Sequence, residues 1–270
     1  MRKLVSNKYF LIKMKLDDLY KNSFYVKLIE DSQKLLKQED RKVRIGKGFK
    51  KMMLGEKIPS RWDKLPAGEK FHLTTFRIIT EIFYKLETLG HCIAYLNSYP
   101  STSLWKKNFS RADYIKYHLE SYYGNILGTF DRCLLLVNHL YDLGFEPRDA
   151  KYKLITKNKH LSGSKTLEIL TRTHKALENI RSVRNYIEHQ GSLSDKELDK
   201  ISLYELLNKN KSLEPKLKKI TKVLLKLGYS SYIRKKKKEV RNNNTAIILL
   251  ANALFTSVEE KYNKGMIRLN

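Results

Sequence analysis

Cysteine is nearly absent from this chain: Cys92 and Cys133 are the only two among 270 residues. Each sits within an apolar helical pattern, so reduced core thiols are expected rather than the disulfide framework of a secreted scaffold. Long apolar runs are missing too. The longest, Ala246 to Phe255, is too short to cross a bilayer. The start, Met1-Arg2-Lys3-Leu4-Val5, lacks the apolar stretch of a secretory leader. These absences predict a soluble, cytoplasmic protein with no membrane partner. His72, His91, His118, His139, His160 and His174 show no metal-ligand spacing with cysteine or acidic residues, so neither a metal nor another cofactor is expected. Gly163-Ser164-Lys165-Thr166 has the wrong order for a phosphate-binding loop and no upstream glycine, which excludes that class of nucleotide site.

Acidic residues are also scarce. Asp and Glu number 28 against 54 Lys and Arg, leaving a formal charge of +26. A field of that size favours polyanions such as nucleic acid. Compositional drift in an AT-rich genome is the alternative, because Lys far outnumbers Arg and Asn and Tyr are frequent. Drift alone, however, also tends to raise Glu and Asp.

What the chain does contain is helical periodicity. The N-terminal residues 1–65 form a basic, partly helical extension. In it Leu16 to Leu36 has a helical pattern, Tyr9 to Ile12 fits a short strand or a helix start, and the Gly-punctuated run Arg41 to Lys51 suits an exposed loop. From Pro66 to about Leu96, Phe71, Phe76, Ile79, Phe83, Leu86, Leu89 and Ile93 trace one apolar stripe. Ser110-Arg111-Ala112-Asp113 has the form of a capping box opening a second long helix that stops at Gly144. After a polar connection over 148–164, a third helix is expected from Lys165 to His189. A second box, Ser194 to Glu197, begins a short helix over 195–208. Lys216 to Leu227 also has a helical pattern, and Arg234-Lys235-Lys236-Lys237-Lys238 has the composition of a solvated loop. Asn242-Asn243-Asn244 is then expected to cap a last helix bearing Ile247, Leu250, Leu254 and Val258. The fold class is all-α: an up-and-down four-helix bundle over 66–270 with extra short helices and an N-terminal extension.

The segment Arg184-Asn185-Tyr186-Ile187-Glu188-His189 carries the candidate chemistry. A permanent cation can hold a phosphate, and an imidazole can give or take a proton near neutral pH. On one continuous third helix, Leu167, Ile169, Leu170, Leu177, Ile180, Val183 and Ile187 spread over a broad apolar face, with Arg184 about 40° from its centre. A buried arginine there needs a partner or a polar crevice. His189 projects about 140° from Arg184, so the two do not converge on one straight helix. They meet only if the chain turns at Gly191 or if a second copy contributes across a symmetry axis. An Arg-x4-His spacing arises by chance about a third of the time in such a chain. The plain alternative is a helix end with a surface histidine and an ion-paired arginine.

Other candidates surround the motif. Arg181, one turn before Arg184, is placed for a phosphate contact or for a solvated ion pair. Asp131 and Asn138 share a helix face and suit either substrate contact and orientation of Arg184 or a structural hydrogen bond. Tyr122-Tyr123 offers stacking surfaces for bases or packing for the core.

With its position at the end of a long helix and Gly191 close behind, the segment resembles the HEPN superfamily. Its hallmark is Arg-x4–6-His, often with a polar residue directly after the arginine, here Asn185. The helix Phe130 to Leu140 is similar to a HEPN bundle helix, and the resemblance covers roughly residues 66–262. It implies a homodimer that places two Arg/His motifs at one cleft. Many members are metal-independent endoribonucleases, including toxins and antiviral effectors. On that pattern His189 is the general acid or base around the RNA 2′-OH and the 5′-oxygen leaving group. Arg184 holds the scissile phosphate, and Asn185 orients the imidazole or donates to phosphate. RNA is the implied partner, together with an antitoxin or regulatory protein. In some members a tyrosine two residues after the histidine is modified by a nucleotidyltransferase antitoxin. Gly191 occupies that position here, which puts such regulation in doubt. A non-catalytic RNA- or nucleotide-binding bundle and a helical scaffold stay open as alternatives.

Overall fold

Apolar residues at spacings of three and four recur along the chain, and the computed structural model places those among the described residues on helices. It describes residues 16–37, 65–99 and 109–269. The strand or helix start at Tyr9–Ile12 and the loop at Arg41–Lys51 lie outside the described residues. The helices are α1 (Ser23–Lys37), α2 (Ala67–Tyr95), α3 (Arg111–Leu140), α4 (Tyr152–Thr156), α5 (Lys165–Ala176), α6 (Glu178–Gln190), α7 (Lys196–Lys209) and α8 (Pro215–Leu269), with a 3₁₀ turn at Lys159–Leu161. No strand occurs among the described residues, and the fold is all-α. None of these helices is long and apolar enough to cross a membrane.

Local signals set the helix ends. Asn22 breaks the expected Leu16–Leu36 helix, and its side chain accepts from the Phe24 N–H at 3.1 Å to start α1. Pro66, whose carbonyl accepts from Lys70 N–H at 3.0 Å, precedes α2. The Ser110 box forms reciprocally: Asp113 N–H donates to Ser110 Oγ at 3.0 Å, and Ser110 N–H to Asp113 Oδ2 at 3.1 Å. In the second box the cap is Asp195, not Ser194. It accepts from the N–H groups of Glu197 and Leu198, satisfying donors that a helix start leaves open.

Two expectations fail along α8. Arg234 to Lys238 is helical rather than a loop, and Asn242 to Asn244 lies inside the helix rather than capping one. The reason is packing on both sides of the basic run. Tyr229, Tyr232 and Ile233 are buried before it, and Val240 directly after it. Lys235 meets Glu197 at 2.8 Å, and Lys236 meets Asp195 at 3.3 Å and Glu239 at 3.1 Å. Asn244 is buried, donating to the Leu89 carbonyl at 3.2 Å and accepting from the Tyr122 hydroxyl at 3.1 Å.

The chain forms two compact units, and α2, α3 and α8 each supply segments to both. Among the described residues the first unit comprises 16–37, 65–86, 128–176 and 247–269. Its core joins Leu19, Phe24 and Leu28 with Ile79, Ile82, Leu86, Val137, Phe255, Val258 and Tyr262. Phe24 meets Phe255 and Tyr262 edge-on at 6.2 and 5.3 Å between centroids. Polar pinning accompanies this packing: Asn22 donates to Asn252 Oδ1 at 2.7 Å and to Thr256 Oγ1 at 3.1 Å. His72 is fully buried between the Ser32 hydroxyl at 2.8 Å and the Tyr262 hydroxyl at 2.7 Å, and Tyr262 donates onward to Asp31 at 3.2 Å. Burial lowers the His72 pKa to about 4, against a smaller upward pull from Asp31.

The second unit comprises Glu87–Leu127 and Leu177–Ala246. Its core contains Leu89, Ile93, Leu96, Ile115, Leu119, Ile126, Leu198, Ile201, Tyr232 and Val240. Tyr122 and Tyr123 belong to it, at 2% and 3% exposure. They therefore serve packing and cannot present faces to bases. Cys92 and Cys133 are both free and buried, and burial raises each thiol pKa to about 12.

The first unit generates two predictions. An unfolded histidine titrates near 6.5 while folded His72 titrates near 4. Between those values the unfolded chain binds the additional proton, so stability present above pH 6.5 is lost progressively as pH falls toward 4. The loss is at most about 3 kcal/mol. Urea unfolding at pH 7 and pH 5 measures it, and His72→Gln should flatten that dependence. Gly265→Ala should destabilise by about 1 to 3 kcal/mol, because an added Cβ would stand 2.5 Å from Phe71 Cζ. A thermal melt checks this.

Candidate functional site

The motif lies on α6, whose start is a backbone break. Leu177, at φ −93° and ψ 5° with no capping side chain, interrupts the single helix expected from Lys165 to His189. That break corrects the projection made for Arg184. Leu167, Ile169 and Leu170 belong to α5, so they do not extend the apolar face of α6. Within α6 only Ile180 is buried, while Val183 and Ile187 are half-buried.

Arg184 is accordingly not buried in an apolar face. Its side chain is 43% exposed, and its guanidinium meets the Glu188 carboxylate at 2.6 Å, one turn along the helix. An exposed pair of this kind contributes at most about 1 kcal/mol, so a phosphate can displace Glu188 at small cost. Asn185 and His189 are exposed and lie four residues apart, about 40° in projection. Arg181 is half-buried and projects between Arg184 and His189, about 60° from one and 80° from the other. Arg181, Arg184, Asn185 and His189 thus form one polar arc, with Arg181 in its middle.

The end of that arc is held firmly. Gly191 caps α6 at φ 77°, donating its N–H to the Ile187 carbonyl at 2.8 Å. Left-handed backbone suits glycine because a Cβ there crowds the neighbouring carbonyl. Leu193 then inserts into the core at 5% exposure, and its N–H donates to Glu120 Oε1 at 2.6 Å. Two residues on, Asp195 accepts from the Tyr232 hydroxyl at 2.9 Å and pairs with Lys236 at 3.3 Å. Burial pushes the Asp195 pKa up, but Tyr232, the Leu198 N–H and Lys236 outweigh it and hold the carboxyl below its usual range. Glu120 was missed in the sequence. Its only signal there is a carboxylate between the apolar Leu119 and the Tyr122-Tyr123 pair.

Asp131 and Asn138 belong to the other unit. Asp131 is exposed on α3. Asn138 makes two bonds with the backbone of Phe145, donating at 2.8 Å and accepting at 3.2 Å, and so secures the turn after α3. The structural-bond alternative describes this asparagine. No group of three or more histidine, cysteine or acidic side chains suited to a metal occurs among the described residues.

A family model described as HEPN_Cthe2314-like HEPN matches residues 73–245. That is more than half of the chain, which therefore belongs to the HEPN superfamily. HEPN domains are generally nuclease-type folds, and they often bind RNA and dimerise. No curated protein and no solved structure matches the chain.

Gly191→Ala should cost about 1 kcal/mol and fray the end of α6. Hydrogen exchange over residues 187–193 reads this directly, with faster exchange expected at the Gly191 and Leu193 amides.

Proposed function

We propose that this protein is a metal-independent endoribonuclease of HEPN type, acting as a toxin or antiviral effector, whose site is completed by a second copy of the chain. The observation that carries the reading is the open polar arc of α6, with exposed His189 at one end, Arg184 at the other and Arg181 between them. His189 takes the proton from the RNA 2′-OH and returns one to the 5′-oxygen leaving group. Arg184, released from Glu188 by the incoming phosphate, stabilises charge developing on the phosphoryl oxygens. Arg181 adds a second cation, and Asn185 orients the imidazole. Because Arg184 and His189 diverge on one helix, the pair that acts on one phosphate comes from two chains. The 48% exposed Tyr186, about 60° from His189 in projection, supports such a contact, since a second copy would cover it. A protein antitoxin or regulator would act by covering the same arc.

The Glu188 pair also favours a second reading, an RNA- or nucleotide-binding bundle without cleavage, in which arginine grips phosphate and histidine is incidental. Single-stranded RNA incubated with the protein in chelator separates the two. The endonuclease reading expects products that persist under chelation and fall about 100-fold or more in His189→Ala. An equally active His189→Ala protein would overturn it. The binding-only reading expects no products, and weaker, salt-sensitive binding in Arg184→Ala than in His189→Ala. Glu188→Gln should tighten RNA binding roughly two- to fivefold by freeing Arg184.

A further inference from the structure

The second unit carries a group of six rings, of which His91, Tyr95 and Tyr117 are exposed and Tyr99, Tyr114 and His118 half-buried. Tyr95 lies nearly parallel to His118, 4.4 Å between centroids at 22°. Tyr114 and Tyr117 stand almost perpendicular to the same imidazole, at 4.4 Å and 71° and at 5.3 Å and 77°. His91 meets Tyr95 at 6.3 Å, and Tyr99 meets Tyr114 at 5.6 Å. All six rings come from the end of α2, the residues just after it and the start of α3. Tyr95 remains 42% exposed and Tyr117 67% exposed.

We infer that this cluster is a stacking platform for unpaired bases of single-stranded RNA, lying next to the α6 motif. The inference rests on the RNA-directed reading of that motif and adds a second binding site to it. Three observations favour this occupant. The exposed rings are tyrosine and histidine, flat with polar edges, and they suit a flat partner with polar edges better than an aliphatic one. The Tyr95–His118 pair is already a two-ring stack, and Tyr95 keeps 42% of its surface open to a further ring. The position also fits. Tyr117 stands one helical turn before Glu120, and Glu120 accepts the Leu193 N–H at 2.6 Å, four residues after His189. A strand of several nucleotides whose phosphate reaches the motif can therefore extend toward Tyr117. Stacking of this kind selects single strands, because bases in a duplex already stack on one another.

Binding of a 12-nucleotide single-stranded RNA carrying 2-aminopurine, measured with full-length His189→Ala protein so that RNA stays intact, tests the platform. The proposal expects fluorescence quenching on binding. It also expects Tyr95→Ala and Tyr117→Ala each to weaken single-strand binding about 5- to 100-fold. Tyr95→Phe and Tyr117→Phe should keep affinity, and the salt dependence should not change, because a ring carries no charge. Both tyrosines are exposed, and unchanged melting temperatures would confirm that the variants fold. If the protein binds RNA but the alanine variants bind as tightly, the platform is overturned while the motif reading survives. If the folded protein binds no RNA at physiological salt, both fall together.

Discussion

The structure depends on the unbroken course of α8. Over Pro215–Leu269 this one helix supplies buried side chains to the core of each unit, Tyr229, Tyr232 and Val240 to one and Ile247, Phe255, Val258 and Tyr262 to the other. Its most basic stretch would not hold a helix by itself, and packing on either side imposes the conformation. The same helix organises the polar interior. Tyr232 and Lys236 hold Asp195 at the start of α7, Asn244 joins Tyr122 to the Leu89 carbonyl, and Tyr262 closes the chain of hydrogen bonds through buried His72. Removing such side chains leaves buried polar groups without partners, which costs more than the lost bond itself.

Much of this was legible from side-chain spacing. The stripes from Phe71 to Ile93 and from Ile247 to Val258 are apolar at helical period, and they became α2 and the end of α8. The Ser110–Asp113 box also announced its helix, because its two bonds form within four residues. Failures occurred where distant packing decided the outcome. Arg234 to Lys238 has the composition of a loop, and only Glu197, Asp195 and Glu239 beside its lysines make a helix there tolerable. The break at Leu177 lacks any proline, glycine or capping side chain to betray it. That hidden break displaced Arg184 from an expected apolar face to a half-exposed pair with Glu188.

The candidate site shows the same division. The residue types and their spacing were visible in the sequence, and so was the divergence of Arg184 from His189. What the sequence concealed was the support beneath them. The loop after His189 is fixed by Leu193, Glu120 and Asp195, each held by a residue remote in sequence. Asn138, close in type to a catalytic amide, serves the backbone of Phe145 instead. The candidate side chains thus stand on the surface of α6, while the groups that fix the loop behind them lie underneath.

The helical state of Arg234 to Lys238 has a further consequence. Five successive cations occupy about 6 Å of helix axis, and partners at three and four residues repel one another by a few tenths of a kcal/mol each. Dissolved ions screen that repulsion over roughly 8 Å at physiological salt. Added salt therefore relieves that repulsion, but it also weakens the exposed Lys235–Glu197 attraction that offsets it. A polyanion meets the same cations from outside and is loosened by the same ions. For this protein, ionic strength and a nucleic-acid ligand would compete for one set of charges that the helix itself uses for its packing.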